Sequence, residues 1–101
     1  MNSSSILEVT SEARTAGFKA LSDPARLRIL DLLSSGTRCV CELEVEMSCP
    51  SNLLAYHLGI LKQAGLVEGT KRGRRTDYRL LPDGLQVMRA KLDHLAKAAA
   101  R

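Results

Sequence analysis

The chain has 101 residues, a net charge of +4 and a hydrophobic fraction of 45%, while only 3% of its residues are aromatic. This length suits one domain, and a core so poor in aromatic side chains must be aliphatic, which favours helices. No stretch approaches the about 18 consecutive apolar residues of a membrane span, and the chain does not begin with a secretory signal pattern. We therefore expect one cytoplasmic domain over residues 1–101, with no membrane partner.

The first half of the chain predicts two helices. Apolar residues recur at intervals of three or four through residues 5–20, the period of an amphipathic helix. In the segment "SDP" that follows, Ser22 or Asp23 can cap a second helix with Pro24 in its first turn, and Gly36 ends it. The predicted apolar residues are Ile6, Val9, Ala13, Ala16 and Ala20 in the first helix, and Leu27, Leu30 and Leu33 in the second, with Ile29 and Leu32 beside them.

Two further helices lie close together in the middle of the chain. A short helix is predicted over residues 40–47, because Val40, Leu43 and Met47 are three and four residues apart. Pro50 begins the next helix and Gly65 follows its end. Its buried residues are expected to be Leu54, Leu58 and Leu61. Two helices joined by a tight turn are typical of a helix-turn-helix.

The last part of the chain changes period and then returns to a helix. Residues 66–67 and 78–80 predict two short strands of a β-hairpin with Gly73 at its basic tip. A fifth helix follows, with Leu85, Met88, Leu92 and Leu95 on one face. The predicted fold is therefore mainly α with a small β-hairpin, a winged helix-turn-helix of five helices.

Four segments together resemble a known family. The segments "FKALSDPARLRILDLL", "CVCEL", "SNLLAYHLGILKQAGLV" and "GRRTDYRL" look like the ArsR/SmtB family of metal-responsive bacterial repressors, over roughly residues 18–80. The resemblance implies a winged-helix homodimer with the first and last helices at the dimer interface. It also implies binding to operator DNA without metal and release when metal binds.

Residues near the start of the fourth helix are candidates for DNA contact. A recognition helix contacts bases with its N-terminal half, on the face opposite its buried residues. Asparagine can pair with adenine through two hydrogen bonds, whereas serine and tyrosine can contact base edges or phosphates. The alternative is an ordinary solvated helix face. The residues on the predicted exposed face are Ser51, Asn52, Ala55 and Tyr56.

The hairpin tip is a second candidate for DNA contact. The segment "KRGRR" holds four of the fifteen basic residues, Lys71, Arg72, Arg74 and Arg75. On a wing these side chains can neutralise phosphates, which makes affinity depend steeply on salt; the alternative is a solvated loop. His57 lies beside the buried face of the fourth helix, so we expect it to pack or hydrogen-bond rather than to bind metal.

All three cysteines lie within residues 39–49, directly before the predicted recognition helix. Cys39 and Cys41 can hold one ion only where the chain is extended, because residues two apart then point to the same side. The start of a helix also favours the thiolate form, which binds metals. An odd number of cysteines in a cytoplasmic protein indicates reduced thiols. Cys49 is a candidate third ligand, but the resemblance implies a core position, because the family places a buried leucine there and a free cysteine packs as a small hydrophobic side chain.

The segment "CVCEL" resembles the thiolate site of the family, without completing either known version of it. Arsenite- and antimonite-responsive members have a third cysteine three residues after the second, where this chain has Glu44. Cadmium- and lead-responsive members take cysteines from an N-terminal arm, and the first 38 residues here contain none. The resemblance implies arsenite or antimonite as the first choice, and cadmium, lead or zinc as the second. Asp93 and His94 lack the spacing of the family's other metal site.

Two alternatives to metal sensing remain open from the sequence. One is a winged-helix repressor in which Cys39 and Cys41 form a thiol redox switch. The other is a thiol enzyme, which the sequence disfavours because its two histidines, His57 and His94, are not part of a nucleophile–base arrangement. We expect no enzyme activity and no organic cofactor.

Overall fold

The structure is a computed structural model that describes residues 3–101, with side chains described from Ser11 onward. Five helices and a three-stranded antiparallel sheet with the strand order β1-β3-β2 form the fold. Within residues 3–101, no helix has the length and apolarity to cross a bilayer. The elements are α1 (Ser3–Leu21), α2 (Pro24–Leu33), β1 (Arg38–Cys39), α3 (Val40–Met47), α4 (Ser51–Gln63), β2 (Val67–Arg72), β3 (Arg75–Leu80) and α5 (Pro82–Ala99).

The core is aliphatic, as predicted, and α4 supplies much of it. Leu54 and Leu61 are fully buried and Leu58 is 2% exposed, so the predicted buried face of α4 is confirmed. Burying each such side chain contributes about 1.5–3 kcal/mol. The face predicted for α2 is partly wrong, because Leu27 is 45% exposed while Ile29 is fully buried. Two residues along a helix turn by about 200°, so Leu27 faces away once Ile29 faces the core.

A helix-turn-helix is formed by α3 and α4. Ser48 ends α3 in the left-handed conformation, with φ 51, and its N–H donates to the carbonyl of Glu44. Pro50 then precedes α4 in an extended conformation without a side-chain cap. Three residues, 48–50, therefore separate the end of α3 from the start of α4.

The predicted hairpin is longer than the sequence indicated, and it has a third strand. The strands β2 and β3 are paired from Val67–Leu80 to Arg72–Arg75, and Gly73 at the tip has φ 62. Glycine takes this left-handed conformation at little cost, which suits a two-residue turn. The two residues of β1 pair with β3, so that Arg38 lies opposite Tyr78 and Cys39 lies opposite Asp77.

The first and last helices pack side by side. Gly17 of α1 allows their close approach, since a Cβ there would lie 2.7 Å from Met88 Sδ of α5. Beyond Met88, the predicted apolar face of α5 is not buried within the chain: Leu92 and Leu95 are 54% and 51% exposed. Ile6 and Val9, predicted on the apolar face of α1, lie outside the residues whose side chains the structure describes.

Candidate DNA-binding surface and thiol site

The N-terminal half of α4 presents the predicted polar face to solvent. The four inward residues of the helix are Leu54, His57, Leu58 and Leu61. Every residue predicted for DNA contact on this helix lies on the other side, and Tyr56 is 60% exposed. The exposed set is Ser51, Asn52, Ala55 and Tyr56.

His57 is part of a buried hydrogen-bonded contact. It is 5% exposed, and Arg26 Nη1 lies 3.2 Å from His57 Nδ1. A guanidinium only donates, so His57 Nδ1 is the acceptor in this contact. Arg26 also donates from Nε to the carbonyl of Ala20 at 2.7 Å. The prediction that His57 has a packing role agrees with this arrangement, whereas the sequence did not indicate that Arg26 connects α1, α2 and α4.

Asp23, one of the two residues predicted as a cap for the second helix, is the N-cap of α2. Asp23 accepts hydrogen bonds from the backbone N–H groups of Ala25 and Arg26. The hydrogen bond from Ala25 is the main reason that the pKa of the Asp23 carboxyl lies below its usual value. Asp23 thereby fixes the first turn of α2, from which Arg26 reaches His57.

The basic tip of the hairpin is exposed, but two of its arginines are ion-paired. Lys71, Arg72, Arg74 and Arg75 all lie on the surface around Gly73. Arg72 Nε and Arg75 Nε each lie 3.3 Å from one carboxylate oxygen of Asp77, which is 8% exposed. Asp77 was not predicted from the sequence, because the exposed Arg75 and Arg79 share its face of β3 and do not indicate a buried position between them.

The two cysteines of the C-x-C motif lie together where β1 becomes α3. Cys39 is in an extended conformation, 3% exposed, and Cys41 is exposed. Their Cα atoms are 5.3 Å apart and a disulfide joins their sulfurs. This differs from the expectation of reduced thiols. The physical reason is that Cys39 is extended immediately before α3 begins, which leaves the two Cα atoms at a separation that a disulfide can span.

Cys39 also contributes directly to the secondary structure on either side of it. The N–H of Glu42 donates to Cys39 Sγ at 3.2 Å, and the N–H of Cys39 donates to Glu42 Oε1 at 3.1 Å. These reciprocal bonds form a capping box at the start of α3. Because Cys39 is also paired opposite Asp77 in the sheet, one residue contacts both the helix-turn-helix and the hairpin.

The other candidate ligands do not gather around this pair. Cys49 is a free thiol of intermediate exposure that packs against the core cluster, and Glu44 is half-buried. Asp93 and His94 are exposed on α5. From Ser11 to Arg101, no three His, Cys, Asp or Glu side chains converge into a metal-binding cluster. The donors that do lie together are two sulfurs, a set that suits soft ions rather than magnesium or calcium.

A helix-turn-helix with an exposed polar recognition helix and a basic β-hairpin beside it defines the winged helix-turn-helix class of DNA-binding proteins. The profile of a family described as "Bacterial regulatory protein, arsR family" matches residues 23–69. An uncharacterized HTH-type transcriptional regulator of Methanocaldococcus jannaschii is 39% identical over 79 residues, 77% of this chain and 89% of that protein.

Two further relatives carry more specific descriptions. The arsenical resistance operon repressor of Staphylococcus xylosus is 39% identical over 75 residues, 74% of this chain and 72% of that protein. The solution structure of a homodimeric winged helix-turn-helix DNA-binding domain from Mycobacterium bovis aligns with a TM-score of 0.73 at 27% identity, covering 99% of this chain and 91% of that chain.

The chain belongs to the arsR family of bacterial regulatory proteins. It is a DNA-binding transcriptional repressor and not an enzyme. The predictions of the family and of the winged helix-turn-helix fold are confirmed.

Proposed function

We propose that the reduced chain binds operator DNA and is released when a thiophilic ion binds the thiolates of Cys39 and Cys41. The observation that carries this proposal is the position of the two sulfurs, side by side at the first turn of α3. Arsenite and antimonite are the first candidates, since a relative is named for arsenical resistance, and cadmium, lead and zinc are the second. Cys49 is a third ligand only if α3 unwinds or a partner subunit contributes, because it now packs against the core.

An ion at this position has two routes to the DNA-binding surface. Binding through Cys39 Sγ replaces the hydrogen bond from the N–H of Glu42, which alters the first turn of α3 and, through the turn at Ser48, the position of α4. The second route is the strand pairing of Cys39 with Asp77, which connects the ion site to the hairpin. Release requires the ion to bind the low-affinity conformation more tightly, by a coupling of about 1–3 kcal/mol.

The DNA-binding form is a homodimer, in which residues 1–101 act as a single domain. The exposed Leu92 and Leu95 form an apolar face on α5 beside α1, and a structural relative that covers nearly the whole chain is homodimeric. A two-fold dimer presents two α4 helices to successive turns of a palindromic operator. Because chromosomal DNA is the partner, the cytoplasm is where the protein acts.

Base contacts and phosphate contacts are assigned to different elements. Ser51, Asn52, Ala55 and Tyr56 face outward from the N-terminal half of α4, where a helix in the major groove contacts base edges. The basic hairpin residues Lys71, Arg72, Arg74 and Arg75 lie at the tip of a two-stranded ribbon, which can follow the phosphate backbone into the neighbouring groove.

A second candidate mechanism is favoured by one observation, the disulfide between Cys39 and Cys41. In this mechanism the trigger is an oxidant rather than an ion. Two thiols and one molecule of hydrogen peroxide give the disulfide and two molecules of water, so both sulfurs are oxidised and the peroxide is reduced. A thiol reductant reverses the step, forming its own disulfide as the two cysteines regain their protons.

Operator release distinguishes the two mechanisms. The wild-type chain, fully reduced, first selects its operator from a random duplex library and is then titrated on that duplex with arsenite, cadmium, zinc and peroxide in parallel. Ion sensing predicts release by an ion under reducing conditions, and no ion response from the oxidised chain, whose sulfurs are bonded to each other. Release by peroxide alone, reversed by a thiol reductant, contradicts ion sensing and supports the redox switch.

Asn52→Ala and Arg74→Ala are expected to weaken DNA binding in different ways. Loss of a base contact by Asn52→Ala lowers operator affinity by about 1–3 kcal/mol and leaves scrambled duplex binding nearly unchanged. Equal losses on both duplexes for Asn52→Ala contradict base contact.

Arg74, which has no ion pair among the described side chains, acts on phosphates. Arg74→Ala therefore weakens both duplexes and reduces the slope of log affinity against log salt by up to about one unit.

A further inference from the structure

Asp77 is an acidic residue in a surface whose partner is a polyanion. It lies on the central strand β3, opposite Cys39 on one side and Thr70 on the other. Its side chain is 10% exposed. An acidic group here lowers the electrostatic attraction for phosphate, so its presence in the hairpin requires an explanation other than DNA attraction.

The register of the sheet explains how one carboxylate meets two arginines. Side chains two residues apart on a strand, and those directly opposite on the neighbouring strand, share one face of the sheet. Arg75 is two residues before Asp77, and Arg72 lies opposite Arg75. Each oxygen of Asp77 therefore has its own arginine, with Nε 3.3 Å from Oδ2 for Arg72 and 3.3 Å from Oδ1 for Arg75.

The two arginines remain available to solvent beyond these contacts. Arg72 and Arg75 expose 69% and 61% of their side-chain surface, although their Nε atoms are close to a nearly buried carboxylate. A guanidinium has five N–H donors, of which Nε carries one. Contact through Nε thus leaves the two outer nitrogens of each arginine for phosphate oxygens, with the side chain already oriented.

We infer that Asp77 is a positioning residue for DNA recognition, which orients Arg72 and Arg75 toward the operator backbone and limits their attraction to unrelated DNA. This inference rests on the proposed DNA-contacting role of the hairpin. Pre-oriented side chains lose less conformational freedom on binding. Because the benefit depends on phosphates at fixed positions, it favours the properly docked operator over duplexes bound in many registers.

The test compares two substitutions that change net charge equally. Asp77→Asn removes one negative charge at the tip of the hairpin. Glu68→Gln removes one from the other end of the same strand pair, where Glu68 Oε2 lies 2.6 Å from Arg79 Nη2 and both side chains are about half exposed. Affinities for the selected operator and for a scrambled duplex of equal composition are measured over a range of salt concentrations with the reduced 101-residue chain.

Asp77→Asn is expected to raise affinity for the scrambled duplex while lowering affinity for the operator, so that the ratio of the two affinities falls about tenfold. The salt slope on scrambled duplex becomes steeper by up to about one unit. Glu68→Gln is expected to raise both affinities together, leaving their ratio within about twofold of wild type. The inference is overturned if Asp77→Asn leaves the ratio of operator affinity to scrambled-duplex affinity within about twofold of wild type, whether both affinities rise or fall.

A second variant keeps the test decisive if Asp77→Asn fails to fold. The double substitution Arg72→Gln and Arg75→Gln removes both partners of Asp77, and its ratio is expected to fall to a similar extent. An unchanged ratio in that double variant overturns the inference. If the wild-type chain does not prefer its selected duplex, the proposed DNA recognition itself is contradicted. If the wild-type chain prefers that duplex but substitution of Asp77 leaves the affinity ratio unchanged, only the inference about Asp77 is overturned.

Discussion

Leu92→Glu is expected to dissociate the proposed dimer and to weaken operator binding by at least about a hundredfold. Leu92 and Leu95 are half exposed on α5, beside the α1 surface that Gly17 brings close. In a two-fold interface each substitution appears twice, so two carboxylates would be desolvated in an apolar contact. A monomer presents only one α4 helix, and loses the gain that two linked half-site contacts provide.

Sedimentation velocity measures the oligomeric state, and binding to the selected operator measures the consequence. Leu27→Glu is the matched control, because Leu27 is also about half exposed, at 45%, but lies on α2. We expect Leu27→Glu to remain dimeric with unchanged folding. If the Leu92→Glu chain remains dimeric, the interface lies elsewhere. If Leu27→Glu dissociates the dimer equally, the effect comes from any added surface charge and not from the α5 face.

Periodicity predicted the elements whose local sequence determines them. The buried face of α4 follows from the spacing of Leu54, Leu58 and Leu61, which a helix must place on one side whatever its neighbours are. The four outward residues of α4 followed from the same count. Leu27 shows the limit of the method, since a helix rich in leucine offers more than one apolar face and only packing decides which is buried.

The contacts that the sequence missed are those made between distant segments. The two residues of β1 have no strand pattern of their own, and they form a strand only because β3 lies beside them. Asp77 is buried because Arg72 and Arg75 fold back over it from both sides of the hairpin turn. Arg26 likewise joins carbonyl groups of α1 to His57 of α4. None of these follows from the period or composition of a single segment.

Cys39→Ser and Cys41→Ser are each expected to retain operator binding and to lose release by the ion. In the wild type, the proposed coupling of about 1–3 kcal/mol corresponds to a change in operator affinity of about 5–150-fold. A serine hydroxyl is a poor ligand for a soft ion, so the change falls to near one in either variant. Serine is also a preferred N-cap, and it can accept the hydrogen bond from Glu42 that Cys39 now accepts. The fold of the Cys39→Ser chain should therefore be preserved.

Cys49→Ser is the matched control, because it removes the remaining thiol of the chain from the other end of α3. Cys49 packs partly against the core and forms no disulfide, so its replacement should lower the free energy of unfolding by about 1 kcal/mol and leave most of the ion response. Operator affinity with and without ion, under reducing conditions, measures the response of all three variants. If Cys49→Ser abolishes the response as completely as the other two, the ion is held by three thiolates. Because Cys49 and Cys41 are separated by the length of α3, such a site requires α3 to unwind or a second subunit to supply the third sulfur.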